Sequence, residues 1–169
     1  MTPRKLIPID LARKLLDYDP ATGEFRWKER VAVRTPAGSI AGWTTGLGYR
    51  QIRLHGDVFK AHRVAWAVHF GEQPPDHLDH INRDEADNRI ANLRAADTHE
   101  SCANTKARAS SSGYKGVRRR GPDTWAKPWY ARINVRGELL HIGSFETAEE
   151  AGLAYAVVAE RHFGAFASA

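Results

Sequence analysis

The chain has 169 residues, and its 25 lysines and arginines against 20 aspartates and glutamates give a formal net charge of +5. Its one cysteine, Cys102, excludes an intramolecular disulfide and a cysteine-rich zinc site of the finger type. No stretch approaches the roughly 18 apolar residues of a membrane span. These features predict an intracellular protein without membrane attachment, and the cationic excess favours a polyanionic partner.

The first predicted element is a short helix over residues 9–18. Leu11, Leu15 and Leu16 fall on one face at helical spacing. Asp10 is placed to cap the N-terminus of this helix. The pattern therefore predicts an amphipathic helix that buries its leucines.

A small sheet and a second helix are predicted next. A turn signal occupies residues 19–23. Residues 61–70 lack strand alternation and are followed by Gly71, which predicts a helix that ends at this glycine. Between the turn and the helix lie four short β-like pieces, which glycine-containing turns separate, at residues 24–27, 39–43, 49–54 and 58–60.

Residues 79–103 are dense in Asp, Asn and His and too poor in apolar residues to form a core of their own. Asp79 and His80 stand side by side after the apolar Leu78. At a strand end, the backbone twist can bring a carboxylate and an imidazole to one reaction centre. That pair suits hydrolysis, because the carboxylate holds a hard cation such as Mg²⁺ while a neutral imidazole deprotonates the attacking water. Taken alone, such a pair is more often a solvated or capping one.

Three runs carry a family resemblance: His62-Arg63-Val64-Ala65-Trp66, Asp79-His80-Ile81-Asn82 and Asp87-Asn88-Arg89-Ile90-Ala91-Asn92-Leu93-Arg94. Together they resemble the HNH homing endonucleases of phages and mobile elements over about residues 10 to 104. The resemblance implies a ββα-metal fold in which Asp79 is a metal ligand and His80 is the general base. It also implies that Asn92 braces the loop that aims the base.

The resemblance leaves the second metal ligand open. The family's last motif position, a His or Asn, falls on Ser101, whose hydroxyl is a weaker ligand for Mg²⁺. His99 is the alternative, as is Asn104 one helical turn after Ser101. His62 is assigned to structure, as a satisfied and partly buried histidine rather than a ligand.

After a Ser-rich linker at residues 105–112, the chain predicts three strands and a helix. The strands are expected at residues 116–118, 129–135 and 139–142, with a hairpin turn at 136–137. Thr147 followed by Glu150 forms a capping box that opens the helix. The predicted domains are residues 1–104, a β-rich segment with the HNH nuclease module, and residues 113–169.

Seven cations and one acid lie within residues 115–136. Strand alternation projects one set of side chains from a single face, opposite Val117, Ile133 and Val135, which face the helix. The projected set is Lys115, Arg118 or Arg120, Arg132 and Asn134. A sheet of this width fits the major groove, where Arg reads guanine and Asn reads adenine. The plain alternative is a solvated cationic face.

Four runs in this part resemble the AP2 DNA-binding domain over about residues 113 to 166: Gly113-Tyr114-Lys115-Gly116-Val117-Arg118, Trp129-Tyr130-Ala131-Arg132-Ile133, His141-Ile142-Gly143-Ser144-Phe145 and residues 147–155. The resemblance places DNA contacts on Lys115, Arg118, Arg120, Arg132, Asn134 and His141. Trp125, in a turn, is a further predicted DNA contact, whereas Trp129 and Phe145 are expected in the core.

The expected protein is α+β: a ββα-metal HNH module preceded by a small sheet and helix, then a three-stranded antiparallel sheet packed on one helix in the AP2-like manner. It is expected to be a monomeric endonuclease that nicks double-stranded DNA with Mg²⁺, or with Mn²⁺ as the alternative ion, and without a small-molecule cofactor. The family resemblance places it in the cytoplasm of a phage-infected or bacterial cell. The alternatives are a non-catalytic DNA-binding or regulatory protein whose HNH site has decayed through Ser101 and, more weakly supported, an RNA-binding module.

Overall fold

The computed structural model describes residues 5–97, 104, 112–122 and 124–167. The chain divides into two compact units, residues 1–95 and 96–169, each with its own hydrophobic core. The described residues form a mixed α and β structure with three α-helices and several small sheets. None of these three helices is both long and apolar enough to cross a membrane. The domain limits at residues 104 and 113 stay a prediction.

The first unit begins with helix α1 (Ile9–Leu15), which leads directly into strand β1 (Leu16–Tyr18). The helix ends three residues earlier than predicted, because Leu16 takes an extended conformation and pairs with Trp27 on strand β2 (Phe25–Trp27). Burial of the Leu16 side chain in the core favours this early end. The predicted cap was also wrong: Pro8 occupies the N-cap position, and Asp10 lies in the first turn.

The second sheet of this unit supports the helix that faces the candidate site. Strands β3 (Trp43–Thr44), β4 (Arg50–Leu54) and β5 (Asp57–Lys60) pair antiparallel in that order. Helix α2 (Ala61–Phe70) follows β5 without a loop and ends at Gly71, whose φ of 76° is left-handed. The predicted helix and its end are therefore confirmed.

One predicted strand of this sheet is much shorter than expected. Of residues 39–43, only Trp43 belongs to a strand, and Ile40 makes an isolated bridge to Arg26. The helices and sheets of the first unit share one hydrophobic core. It consists mainly of Leu16, Phe25, Trp27, Ala41, Ile52, Leu54, Phe59, Val64, Ala65 and Leu93.

Strands β6 (His77–His80) and β7 (Leu93–Ala96) form a two-stranded sheet, and a polar loop with a 3₁₀ turn at Ile90–Asn92 connects them. The 19–23 turn packs closely on this loop. A Cβ on Gly23 would lie 2.5 Å from the backbone nitrogen of Arg89, so only glycine fits there. The loop is therefore held by its surroundings as well as by its own hydrogen bonds.

The second unit contains the predicted three-stranded sheet and its helix. Strands β8 (Val117–Arg119), β9 (Trp129–Val135) and β10 (Glu138–Phe145) are antiparallel, with β9 in the middle. Helix α3 (Ala148–Phe163) begins after Thr147, whose hydroxyl accepts a 3.1 Å hydrogen bond from the Glu150 backbone N–H. The predicted strands, cap and helix are confirmed in outline.

Two boundaries in this unit differ from the prediction for identifiable reasons. Gly116 lies outside β8, because its φ of 70° is left-handed and a Cβ there would lie 2.3 Å from the Tyr155 ring. Strand β10 runs on to Phe145, because a register shift between His141 and Gly143 lets its pairing with β9 continue. The core consists of Val117, Ala131, Ile133, Ala151, Tyr155 and Ala159, and Trp129 and Phe145 pack against it as predicted.

Candidate functional site

The candidate site lies at the end of β6, where Asp79 and His80 are adjacent. His80 is buried, with 5% of its surface exposed. Asp79 is engaged by Arg94 of β7, whose Nη2 and Nε lie 3.0 and 3.1 Å from the Asp79 Oδ2 atom. Only 14% of the Arg94 side chain and 12% of the Asp79 side chain is exposed. The predicted metal ligand is therefore a largely buried carboxylate with a cationic partner.

Two aromatic side chains, His62 and Tyr49, lie beside the predicted base His80. The ring centroids of His62 and His80 are 4.8 Å apart and their planes are nearly perpendicular, at 83°. Tyr49 lies 5.7 Å from His62 and 6.2 Å from His80, measured between ring centroids. Lys60 places its ammonium group 4.0 Å from the centre of the Tyr49 ring. The imidazole of His80 therefore lies beside two rings, and a cation lies close to one of them.

Burial lowers the pKa of His80 below its ordinary value of about 6.5. A hydrogen bond with the Asn88 side chain and the carboxylates of Asp79, Glu85 and Asp87 act in the opposite direction without cancelling the effect of burial. The imidazole is consequently neutral at neutral pH, which is the state that a general base requires.

His62 differs from the sequence-based expectation. It is buried on helix α2, but its Nδ1 atom has no hydrogen-bond partner in the described part of the chain. The expectation of a satisfied histidine was therefore wrong. Burial, followed by the nearby His80, Lys60 and Arg63, lowers the pKa of His62 to about 2. Sequence alone gave no sign that this ring touches His80, since 18 positions separate the two residues.

Asn92 lies inside the loop between β6 and β7. Its Nδ2 donates to the Asn82 Oδ1 atom at 3.0 Å and to the Asp87 carbonyl at 2.9 Å, while its Oδ1 accepts from the Asn82 backbone N–H at 3.0 Å. The carboxylate of Asp87 in turn accepts from Asn82 and from Arg89. This network ties together a loop that has few apolar residues, and it begins directly after His80.

Asn88 connects the same loop to the first hairpin of the unit. Its side chain is buried, and its Nδ2 donates a hydrogen bond to the Ala86 backbone carbonyl at 2.9 Å. The backbone carbonyl of Asn88 accepts a hydrogen bond from the Tyr18 hydroxyl at 2.8 Å. Burial raises the pKa of Tyr18 well above its usual range, with smaller contributions from Asp19 and Asp87. Tyr18 therefore remains a protonated donor to the loop.

The second unit carries the other predicted contact residues on the sheet face opposite α3. Arg118 pairs with Tyr130, and Arg132 pairs with His141, so strand alternation places these four side chains on one face. Three of them, Tyr130, Arg132 and His141, line a recess of about 290 Å³ together with Arg120 and Leu139. The face thus combines cations with aromatic rings, including an Arg132 guanidinium 6.0 Å from the Tyr130 ring centre.

Three further predicted contacts have distinct settings. Asn134 lies on the same face, and its Oδ1 accepts a 2.9 Å hydrogen bond from the Gly137 backbone N–H. Lys115 precedes β8 in a turn. Trp125 is 53% exposed and its ring packs over Gly121, where a Cβ would lie 2.6 Å away. Adenine recognition by Asn134 stays a prediction.

Comparison with known protein families gives a match in the segment that carries the candidate site. Residues 59–100 match the family model HNH_3, HNH endonuclease. This segment of the chain is therefore similar to an HNH endonuclease domain. The matched segment runs from the end of β5 through α2, β6, the polar loop and β7, and so includes His62, Asp79, His80 and Asn92. No curated protein and no solved structure matches the chain.

The HNH match supports the HNH family and suggests a nuclease or DNA-binding function, with DNA as the substrate. Nucleases of this family generally use divalent metals. Among the described residues, no three His, Cys, Asp or Glu side chains form a group that could hold a metal ion. His99 and Ser101, the predicted second ligands, lie outside the described residues.

The donor set of the described HNH residues nevertheless fits one kind of ion. Mg²⁺ is commonly held by one or two carboxylates, with water and substrate phosphate completing its coordination. Asp79 supplies one such carboxylate next to His80. Asn104, considered as a substitute ligand, is buried. In a site with one protein carboxylate, water and phosphate oxygens of the DNA would complete the coordination.

Proposed function

We propose that the chain is a metal-dependent endonuclease that hydrolyses phosphodiester bonds of double-stranded DNA and nicks it as a monomer. The observation that carries this proposal is the HNH match over residues 59–100, together with the adjacency of Asp79 and a buried, neutral His80 at the end of β6. Asn92 supports the proposal, because its amide connects both sides of the loop that follows the base.

In this mechanism His80 accepts a proton from a water molecule whose oxygen attacks the phosphorus atom. A phosphorus–oxygen bond to the leaving strand then breaks, and the departing oxygen takes up a proton from solvent. Asp79 would hold Mg²⁺, or Mn²⁺ as the alternative, which when bound supplies positive charge to the phosphate oxygens. Asn92 keeps the loop, and with it the direction of His80, fixed during the reaction.

We assign target binding to the second unit, as an AP2-like DNA-binding domain over residues 113–169. Arg118, Arg132 and His141 project from the sheet face opposite α3, and this arrangement suits a three-stranded sheet that lies in the major groove. Arg120 and Trp125 add a cation and an exposed ring. Such cations would contribute affinity through phosphate contacts.

Plasmid nicking tests the proposal. Supercoiled plasmid is incubated with the full chain and Mg²⁺, Mn²⁺ or EDTA, and relaxed circles are separated by electrophoresis. We expect relaxed circles with either ion and none with EDTA. If the protein shifts the plasmid in a gel but relaxes it with neither ion, the endonuclease function is wrong.

A second function, DNA binding without cleavage, is favoured by one observation. The Arg94 guanidinium already neutralises the Asp79 carboxylate, so the described residues can satisfy this buried charge without a metal. The residue at the family's last ligand position, Ser101, points the same way. The plasmid experiment separates the two functions, because only the endonuclease converts DNA in a manner that depends on the ion.

A further inference from the structure

His62 is an unexplained polar group in the interior of the first unit. It is 5% exposed, and its Nδ1 atom has no hydrogen-bond partner in the described part of the chain. Leaving a buried polar atom unsatisfied destabilises the folded state, and a phenylalanine of similar shape would avoid that cost. A buried polar atom without a hydrogen-bond partner needs an explanation, such as a role in catalysis or a hydrogen bond that forms only in another state of the protein.

The partner within reach is His80. The 4.8 Å between the two ring centroids is short, and at 83° the edge of one imidazole faces the π surface of the other. The two rings come from different elements, His62 from α2 and His80 from β6. At this centroid separation, two ring nitrogens turned toward each other would lie within hydrogen-bond distance. Catalytic hydrogen bonds often tighten only when substrate is bound.

The environment of His62 also suits a side chain that hydrogen bonds to the general base His80. Burial, together with the neighbouring His80, Lys60 and Arg63, lowers its pKa to about 2, so it stays neutral at any pH at which a nuclease would act. A neutral imidazole has one donor and one acceptor nitrogen. It can therefore hydrogen bond to His80 without adding a positive charge beside a ring that must itself accept a proton.

We propose that His62 is a positioning residue for His80, which orients the base through a ring nitrogen as well as through the bulk of its ring. The proposal rests on the proposed function, in which His80 is the general base. His62 does not touch the DNA in this scheme, and its effect on the reaction passes through the orientation of the His80 ring.

Full-chain variants separate the polar role from the packing role. His62→Phe keeps a ring but removes both nitrogens, whereas His62→Gln keeps a polar atom in the same place. His69→Phe is a matched control, because His69 lies on the same helix in an equally perpendicular contact with Phe70, at 4.8 Å and 85°, but is exposed. Plasmid nicking with Mg²⁺ gives kcat and KM, and urea denaturation gives the free energy of unfolding.

We expect His62→Phe to lower kcat by about 10–100-fold, the usual effect of removing a group that orients a site residue, with KM unchanged and stability equal or higher. His62→Gln should retain more of kcat than His62→Phe, and His69→Phe should match the wild type. A wild-type kcat for His62→Phe overturns the proposal, since the bulk of the ring would then suffice. A His62→Gln variant slower than His62→Phe also overturns it.

A second readout does not depend on catalysis. The ring nitrogens of ¹⁵N-labelled histidines are observed by NMR in the metal-free protein, and His80→Ala assigns the His80 signals. We expect His62→Phe to move the His80 ring signals and His69→Phe to leave them in place. If the wild type does not nick DNA, the proposed function fails, and these signals decide the present inference: unmoved His80 signals overturn it, and moved signals support the orienting contact.

Discussion

Arg94 on β7 holds the carboxylate of Asp79 on β6 through two hydrogen bonds to the same oxygen, Oδ2, at 3.0 and 3.1 Å. Both side chains are largely withdrawn from solvent, so the ion pair is screened less than a pair on the surface. Removing one member of such a pair leaves an uncompensated charge. Arg94 therefore fixes the position of Asp79 and also competes with any cation for its negative charge.

This competition predicts how Arg94→Gln behaves. Without divalent ions, the variant should lose about 1–3 kcal/mol of stability, because a poorly hydrated carboxylate loses a charged hydrogen-bond partner. Mg²⁺ should restore more stability to Arg94→Gln than it adds to the wild type, since ligand binding to the folded state stabilises it. Urea denaturation with and without Mg²⁺ measures both effects.

Arg26→Gln is a suitable control for this prediction. Arg26 also pairs with a carboxylate, that of Glu24 at 2.9 Å, but the pair is exposed and lies outside the HNH match. Its removal should change stability little and should not alter the response to Mg²⁺. Equal Mg²⁺ responses in the wild type and Arg94→Gln would mean that the Asp79 carboxylate does not hold the ion.

The roles of Asp79 and His80 predict two different defects. His80→Ala should lower the nicking rate by about 10²- to 10⁴-fold, because a general base is lost. Asp79→Ala should also weaken metal binding, so excess Mg²⁺ or Mn²⁺ should restore part of its activity but none of the activity of His80→Ala. Gel-shift titrations should give both variants nearly the affinity of the wild type for DNA. Wild-type nicking by His80→Ala would remove His80 from the mechanism.

Local sequence signals predicted much of the fold. Helix α2 and its end at Gly71, strand β9, and the capping of α3 by Thr147 were expected and are present. The hairpin between β9 and β10 is also confirmed, with positive φ at both Arg136 and Gly137. Each of these features depends on residues within a few positions of one another, so the local sequence is enough to predict it.

Features that depend on distant residues were not predicted. Leu16 leaves α1 because it pairs with Trp27 and is buried in a core formed later in the chain. The Asp79–Arg94 ion pair requires β6 and β7 to be neighbours, and the contact of His62 with His80 requires α2 to pack beside β6. The motif predicted the residues of the candidate site, whereas tertiary packing decides which of them touch.

The Asp87 carboxylate predicts a stability change in acid. Hydrogen bonding from Arg89 is the main cause that lowers its pKa to about 2, with a further contribution from Asn82. In the unfolded chain the same group titrates near 3.9. A lowered pKa means that the contribution of Asp87 to stability is fully present above about pH 4 and is lost as the pH falls through about 2.

Asp87→Asn lacks this contribution, so its deficit in stability relative to the wild type should be largest at neutral pH and should shrink between about pH 4 and pH 2. Arg89→Gln should show the same convergence, because Arg89 is the main cause of the shift. Thermal unfolding of the three proteins from pH 2 to pH 7 measures the differences. A deficit that stays constant over this range would show that the Asp87 charge does not stabilise the loop.

The sheet face of the second unit predicts how DNA affinity depends on salt. Arg132 lies at the middle of this face, opposite His141 on β10, and lines the recess with Arg120. If Arg132 contacts a phosphate, Arg132→Gln should weaken binding of all sequences about equally and reduce the slope of log affinity against log salt by about 0.9. If it instead reads a base, the loss should be about 1–3 kcal/mol and confined to particular sequences.

Arg161→Gln is the matched control, since Arg161 carries the same charge but lies in the last turn of α3, away from the sheet face. Gel-shift titrations of the wild type and both variants at several salt concentrations, on two unrelated DNA fragments, give the affinities and the slopes. A fall in affinity that is equal for Arg132→Gln and Arg161→Gln would mean that the net charge, and not the sheet face, attracts the DNA. In that case the recess around Arg132 would have no special part in binding, and the assignment of target binding to this face would be wrong.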